Sequence, residues 1–427
     1  MPYHKQNSSV EKETENIFII QPVFDGQYAA LHREAVSLIE SAGGAYAGTV
    51  YQHIREINPA TFVGAGKLAE VNVMLEGLEN ITVLFNGELS PSQTLNISAA
   101  LLDRKVIDRT TLILDIFARN ALSGEGKLQV ELAQLRYIYP RLKGEGAKLS
   151  RLGGGIGTRG PGETQLETDR RLIRGRIRFL SGKVEEMKRR RAGQTARRQK
   201  NSARTIALVG YTNTGKSTLM NLLTDAGVYV QDQLFATLDT TSRLFRIEGV
   251  DFILTDTVGF LRELPHHLVD AFRSTLESAV NCDLALIVCD ASDDYEMQLK
   301  TTLDTLKDLD FHSPYLVVMN KCDKAVDREL FPKDCVCVSA KTGEGIDELK
   351  RRIFGCFSDK LRPVELFVPY ARADEYGKIR RRIAEKQVEY TDDGLKISAV
   401  IPEECYAACK PFLSADPLPL SDKSKKK

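Results

Sequence analysis

No apolar run in this chain approaches the ~20 residues needed to cross a bilayer, so stable membrane insertion is not expected. The opening "MPYHKQNSSVEKETEN" lacks the apolar stretch of a secretion signal. Zinc spacing is absent too. Cys335-x-Cys337 and Cys405-x3-Cys409 have no second pair, and the other cysteines are scattered, Cys289 within the apolar run "LALIVCD". Reduced thiols in a cytoplasmic protein are the expectation, with at most peripheral attachment to a membrane.

What is there is an ordinary globular composition, 42% hydrophobic and 27% charged. A length of 427 residues is too great for one core and implies two to four domains. The formal net charge of +1 hides a segregation: residues 141–204 hold 19 Lys or Arg against 6 Asp or Glu. One basic element on an otherwise acidic chain reads as an arm for a polyanion.

Four segments follow along the chain. Residues 1–118 alternate short apolar runs with helical patterns. "IFII" (17–20), "ITVLF" (81–85) and "KVID" (105–108) read as strands. "YAALHREAVSLIE" and "SPSQTLNISAALL" read as helices, the second with Ser90 as cap and Pro91 in the first turn. This is a small α/β domain. "DRTTLILDIFARN" fits either a strand or a helix.

Residues 119–203 read as an antiparallel helical hairpin. Leu128, Leu132, Leu135, Ile138 and Leu142 recur at spacings of three and four, as do Ile173, Ile177, Leu180, Val184 and Met187. Between them lies a glycine-rich basic loop, 144–165, with eight glycines from Gly144 to Gly162. Lys143, Lys148, Arg151 and Arg159 decorate it as candidate RNA contacts. "RRRAGQTARRQKNSAR" (189–204) is a basic exit and hinge. Residues 204–360 form a nucleotide-binding domain and 361–427 a small α+β domain, with strands in "VELFVPY", "KQVEYT" and "LKISAVI" and a basic tail.

The chemistry concentrates in residues 204–360. "TIALVGYTNTGKSTLMNLL" is a strand, a glycine loop and a helix. Its Gly210-x4-Gly215-Lys216-Ser217 fits a phosphate-binding loop, Gly210 to Thr218 with Tyr211, Thr212, Asn213 and Thr214 between. Backbone N–H groups and the helix dipole would face the β-phosphate. Lys216 would bridge the β- and γ-phosphates, and Ser217 would ligate Mg²⁺. "FILTDTVGF" ends a strand at Asp256, which would hold the Mg²⁺ shell through water, and Gly259 would meet the γ-phosphate. Asn320-Lys321-x-Asp323 follows a strand. The Asp323 carboxylate can accept from guanine N1–H and the 2-amino group, a pair that adenine does not offer. Ser339-Ala340-Lys341 would meet guanine O6 through the backbone. Within "QLFATLDTTSR" (233–243), Phe235, Ala236 and Thr237 lie where a mobile switch is needed. Thr237 is the candidate second Mg²⁺ ligand, with Thr240 and Thr241 as alternatives. The fold class is therefore α/β multidomain, with a doubly wound parallel sheet of the P-loop GTPase type. "VGAGKL" (63–68) lacks the following Ser or Thr and reads as structural.

One part is missing. Where small signalling GTPases place a glutamine that aims the attacking water, Phe260 and Leu261 follow Gly259 directly. Arg262 reads as too exposed to substitute.

These residues resemble the HflX family of GTPases. The resemblance spans nearly the whole chain and rests on "GGGIGTRGPGETQLETDRR" (153–171), "EGKLQVELAQLRY" (125–137), "FATLD" and "GYTNTGKST". It implies a cytoplasmic GTPase, expected to be a monomer, that binds GTP and GDP, the large ribosomal subunit and ribosomal RNA. It further implies action in splitting or rescue of stalled ribosomes, often under stress, with the hairpin reaching toward the peptidyl-transferase region. Family members carry a hydrophobic residue in place of the catalytic glutamine, and Phe260 fits. A low intrinsic rate, completed by the ribosome, follows. In related GTPases an asparagine at the Asn213 position helps bind K⁺. The family's N-terminal region has been linked to ATP binding and RNA remodelling, so an ATPase working from that region is one alternative. A ribosome-assembly GTPase or a binding module timed by GTP is another. A GTPase of tRNA modification would need an extra cofactor domain and a reactive residue, and neither is evident.

Overall fold

The computed structural model describes residues 14–24, 28–150, 161–200, 204–224, 234–235, 241–262, 280–325, 328–380 and 383–414. They belong to two compact units. The first unit comprises Met1–Glu185 with Asp232–Leu238 and Arg262–Phe272; the second holds the remainder. No helix among the described residues is long and apolar enough to cross a membrane.

The first unit begins β1 (Asn16–Val23), α1 (Tyr28–Ala42), β2 (Ala45–His53), α2 (Ala65–Met74), β3 (Ile81–Phe85), α3 (Pro91–Ala100), β4 (Val106–Asp108) and α4 (Arg109–Asn120). The sheet order is β2-β1-β3-β4, parallel throughout. β3 is buried at every position and β1 at all but its first, as a parallel sheet covered on both faces requires. The Ser90–Gln93 capping box starts α3. "DRTTLILDIFARN" resolves as helix because Asp108 ends β4 and its carboxylate caps α4, accepting from Thr111 N–H at 2.9 Å.

The same carboxylate organises the next helix. The Tyr137 hydroxyl donates to Asp108, and Arg141 lies 3.3 Å from it, with its guanidinium 3.4 Å over the Tyr137 ring. Burial, then the neighbouring Asp108, pushes the Tyr137 phenol above its usual range, so it stays a donor. Arg109, buried, pairs with Glu34 and donates to Asn86 Oδ1 at 2.9 Å. Leu234, Phe235 and Arg262 pack into this unit. Leu234 N–H donates to Ser41 Oγ at 3.0 Å, Asn120 donates to the Phe235 carbonyl at 2.8 Å, and the Phe117 and Phe235 rings sit 4.6 Å apart. Arg109 reaches the Arg262 carbonyl at 3.4 Å. The expectation that Arg262 is exposed is wrong, since it retains only 9% exposure.

α5 (Gly124–Ser150) and α6 (Pro161–Lys200) are longer than the sequence suggests. The expected loop 144–165 is helical at both ends. "EGAKLS" is rich in residues that favour helix, which outweighs a glycine cost of ~1 kcal/mol. Residues 151–160 lie outside the described residues. The expected hinge at 189–204 is likewise helical to Lys200. The apolar face of α5 is rotated from the expected seam: Val130, Leu132, Ala133 and Tyr137 are buried, while Ile138 is exposed. The cause is a second set of neighbours, since α5 packs on α3 and α4. Polar contacts link it to α6: Arg176 to Glu131 at 2.7 Å and Arg136 to Ser181 at 3.2 Å.

The second unit continues with β5 (Arg204–Gly210), α7 (Lys216–Thr224), β6 (Thr241–Ile247), β7 (Val250–Asp256), β8 (Leu284–Asp290), α8 (Tyr295–Asp308), β9 (Tyr315–Asn320), β10 (Val336–Cys337) and α9 (Ile346–Cys356). The sheet order is β10-β9-β8-β5-β7-β6. All neighbours are parallel except β6, which runs antiparallel to β7. Thr241 therefore opens a strand rather than lying in a loop. A two-residue hairpin turn with positive φ at Glu248 and Gly249 makes the reversal. Strand order reverses at β5, so the crevice beyond its carboxyl end is the place for a ligand.

A smaller antiparallel sheet, β11-β13-β12, follows: β11 (Leu361–Pro369), α10 (Ala373–Arg380), β12 (Ala384–Tyr390), β13 (Gly394–Pro402) and α11 (Glu403–Cys409). Leu361, Ala384 and Val400 join the core of the larger sheet.

Because Asp108 both caps α4 and holds Tyr137 and Arg141, Asp108→Ala should destabilise the first unit by ~2–4 kcal/mol. Urea unfolding followed within that unit checks it; a change below ~0.5 kcal/mol would show that the network is energetically idle.

Candidate nucleotide-binding site

The phosphate loop sits between the end of β5 and the start of α7, and every described site residue of the second unit gathers around it. Gly215 adopts φ +86°, and a Cβ there would lie 2.4 Å from Asn320 Nδ2. Only glycine meets both conditions. Asn320 fixes this approach: its amide donates to the Thr214 carbonyl at 2.8 Å and accepts from Ala340 N–H at 2.9 Å. Lys321 donates to the Asn213 carbonyl at 2.8 Å and pairs with Asp290 at 2.7 Å. The Asn320–Asp323 segment and the glycine loop are thus cross-linked by side chains of one motif.

The other wall is a main-chain tie. β5 and β7 pair with Leu208 opposite Asp256, but farther on Tyr211 stands opposite Phe260. The chain gains one residue between those pairs, and Thr257–Gly259 bulges outward to take it. Phe260 N–H donates to the Gly210 carbonyl at 3.0 Å, and Thr212 N–H donates to the Phe260 carbonyl at 2.8 Å. Gly259 is pressed onto the loop: a Cβ there would meet Thr212 Cα at 2.8 Å and Lys216 Nζ at 2.9 Å. Thr257 Oγ1 donates to the Leu208 carbonyl at 2.7 Å. The Phe260 side chain points into the core with 1% exposure, and Leu261 is buried alongside.

Lys216 is buried and donates to the carbonyls of Gly210 at 3.1 Å and Tyr211 at 2.7 Å. Burial lowers its pKa to about 8, against the pull of Asp256. A polyanion beside it would restore the charge. Ser217 Oγ donates to Asp256 Oδ2 at 2.6 Å, and Asp256 is 2% exposed. A hydroxyl and a carboxylate in contact at a helix N-terminus form the hard-oxygen donor set that suits Mg²⁺, so the residues present fit that ion. Thr218 is half-buried on the same turn.

At the base end, Asp323 is exposed and its carboxyl accepts from Ser339 Oγ at 2.7 Å. That hydrogen bond holds its pKa below the usual range, so it stands as a carboxylate ready to accept. Ser339 N–H is taken by the Glu344 carbonyl and Ala340 N–H by Asn320. Lys341 N–H is the third of that run and has no partner among the described residues. Ala236, Thr237 and Thr240 lie outside the described residues, as do Arg151 and Arg159. Lys143 and Lys148 lie on α5, and nothing of their side chains is described. Phe235 was read as part of the nucleotide site; its contacts are those given for the first unit. Sequence reasoning missed the Tyr211–Phe260 bridge. Its one visible sign was an apolar pair after Gly259.

Comparison with known proteins now decides the family. Three family models match in succession: "GTP-binding GTPase N-terminal" over residues 30–118, "GTP-binding GTPase Middle Region" over 120–198 and "50S ribosome-binding GTPase" over 205–321. A GTPase HflX of Lacrimispora saccharolytica is 44% identical over 382 residues, 88% of this chain and 90% of the relative. The chain belongs to the HflX family of GTPases. The HflX protein of Escherichia coli K12 is 42% identical over 83% of this chain and 84% of its own length. Among solved structures, a GTP-binding protein of Sulfolobus solfataricus in complex with GDP is similar at 24% identity and TM-score 0.44, covering 81% of this chain and 99% of that one. This HflX chain is thus a P-loop GTPase that binds and hydrolyses GTP.

Two outcomes follow from the site. Gly259→Ala, which sets a methyl against loop backbone, should weaken GTP binding by roughly tenfold or more while leaving the fold intact; undiminished affinity in a titration would refute the close approach. The second concerns pH. The folded pKa of Lys216 lies below the unfolded value of 10.5, so its burial destabilises the free protein fully below pH 8 and less as pH rises toward 10.5. Binding a phosphate chain needs the protonated form. GDP affinity should therefore be flat up to about pH 7.5 and fall above pH 8, approaching tenfold per unit. Calorimetry that finds no fall by pH 9 would contradict a lowered Lys216.

Proposed function

We propose that this HflX-family GTPase binds the large ribosomal subunit and works as a GTP-controlled switch in splitting or rescue of stalled ribosomes. Its hydrolysis is slow alone and stimulated by the ribosome. The observation that carries this reading is the buried Phe260. With its backbone held by Gly210 and Thr212, that position offers no polar group to orient a water. A stabiliser supplied in trans can be worth ~10³–10⁵ in rate.

Two further features support the partner. Residues 205–321 match a family described as ribosome-binding, and residues 141–204 concentrate positive charge. Lys143, Lys148, Arg151 and Arg159 are the proposed contacts to ribosomal RNA, and binding through them falls steeply with salt. The domains act as 1–118, a hairpin arm at 119–203, the GTPase at 204–360 and a cap at 361–427. GTP orders the switch around Thr237 and Asp256–Phe260, which fixes the arm; hydrolysis relaxes it. Mg²⁺ held at Ser217, with Thr237 as the second protein ligand, supplies charge neutralisation on the phosphates. K⁺ near Asn213 adds positive charge where an arginine would otherwise act. The protein works as a cytoplasmic monomer.

The decisive experiment is GTP turnover of the isolated chain with and without purified large subunits, in Na⁺ and in K⁺. Slow turnover alone and at least a hundredfold stimulation by the subunit are expected, greater in K⁺. Brisk turnover indifferent to subunits would refute the proposal, and equal rates in the two salts would remove the K⁺ role.

A further inference from the structure

Among the described residues the second unit buries five threonines, and four of their hydroxyls have partners. Thr214 Oγ1 donates to the Tyr211 carbonyl at 3.0 Å, Thr257 Oγ1 to the Leu208 carbonyl at 2.7 Å and Thr302 Oγ1 to the Gln298 carbonyl at 2.8 Å, while Thr255 Oγ1 bonds Ser242 Oγ at 3.0 Å. Thr212 is the fifth. It is 5% exposed, and its Oγ1 is sealed from solvent with no partner among the described residues. Leaving a buried hydroxyl unpaired is costly. Valine has nearly the same shape and carries no such cost, so packing alone does not account for a threonine at this position.

The surroundings identify the acceptor. Thr212 lies in the glycine loop, and its N–H is committed to the Phe260 carbonyl at 2.8 Å, so the side chain is the donor left to it. Its Cα and Cγ2 lie 2.8 Å from the point where a Cβ on Gly259 would stand, and Lys216 Nζ lies 2.9 Å from the same point. Thr212, Gly259 and the Lys216 ammonium thus converge on one corner of the loop. In a P-loop enzyme that lysine reaches the β- and γ-phosphates. The Thr212 methyl faces Gly259, and the hydroxyl, carried on the same Cβ, takes the methyl's place by one staggered step of χ1. A γ-phosphate oxygen is an anionic acceptor, and hydrogen bonds to such oxygens are the strong ones. The β-phosphate of such an enzyme is served by loop N–H groups and the helix N-terminus.

We propose that Thr212 is a specificity-determining residue: its hydroxyl donates to the γ-phosphate and so favours GTP over GDP. GDP ends at the β-phosphate and leaves the hydroxyl without an acceptor. GTP relieves that cost and adds a charge-assisted bond. The hydroxyl holds the phosphate and does not aim the attacking water. Nucleotide choice of this kind belongs to the chain alone and does not involve the ribosome.

Calorimetry would measure the affinities of the full chain, with Mg²⁺, for GDP and for the non-hydrolysable β,γ-imido analogue of GTP. The native chain would be compared with Thr212→Val and Thr212→Ser. Thr212→Val removes the hydroxyl and keeps the shape. It should lose about tenfold in affinity for the analogue while its GDP affinity changes by less than about twofold. Thr212→Ser keeps the hydroxyl and should recover most of the analogue affinity. Undiminished analogue affinity in Thr212→Val, an equal loss for both nucleotides, or a loss that serine does not recover would each overturn the assignment. If Thr212→Val fails to fold, the native chain still decides. With isotope-labelled threonine methyls, the Thr212 signal in a magnetic resonance spectrum should shift further with the analogue than with GDP, and the same signal with both would overturn it.

Discussion

The site depends on two main-chain hydrogen bonds that tie Phe260 to Gly210 and Thr212. Main-chain bonds carry no charge and ask for no particular side chain, yet here they set three things at once. They hold Gly259 against the phosphate loop, close enough that a methyl group would collide with backbone. They turn the Phe260 side chain inward, where it is sealed in the core. They also force the extra residue between Asp256 and Phe260 to bulge, which leaves Asp256 beside Ser217 at the bottom of the pocket. A glutamine at 260 with this backbone would place an amide in the hydrocarbon core, which is costly without partners. The hydrophobic residue is thus required by the tie itself, and the loss of a local water-orienting group is its consequence.

Around that tie the pocket is strongly polarised. Lys216 is buried among loop carbonyls with its charged form disfavoured, while Asp323 at the far end is an exposed carboxylate stabilised by Ser339. One end gains by receiving negative charge and the other by receiving donors. A guanine nucleotide supplies both, in the orientation set by the cross-links from Asn320 and Lys321 to the loop. Both ends of the pocket are thus preset by this chain's own side chains, whereas the buried Phe260 puts no polar group at its position.

Much of this was legible in the sequence because each recognition motif sits at a strand end, where a short run of residue types fixes both the turn and the chemistry. Gly215, Lys216, Ser217, Asn320 and Asp323 fall together for that reason. What escaped was set by tertiary partners. The strand β6 gave no distinct signal because its alternation is marked only against β7. Ile138 has the spacing of a seam residue, yet α5 turns toward α3 and α4 and leaves it exposed. Arg262 reads as a surface charge, yet it is buried, and its carbonyl accepts from Arg109, more than a hundred residues away in sequence. Glycines between 144 and 150 suggested a loop, but the helix-forming residues among them carried α5 onward.

The most direct test of the central claim is amide hydrogen exchange, resolved to single residues, on the chain without added nucleotide. The account predicts that the Phe260 and Thr212 amides are protected as strongly as those in the middle of β5 and β7. Exchange at those two amides at the rate of an open loop would mean that the tie does not hold, and the explanation of the inward Phe260 would fail with it.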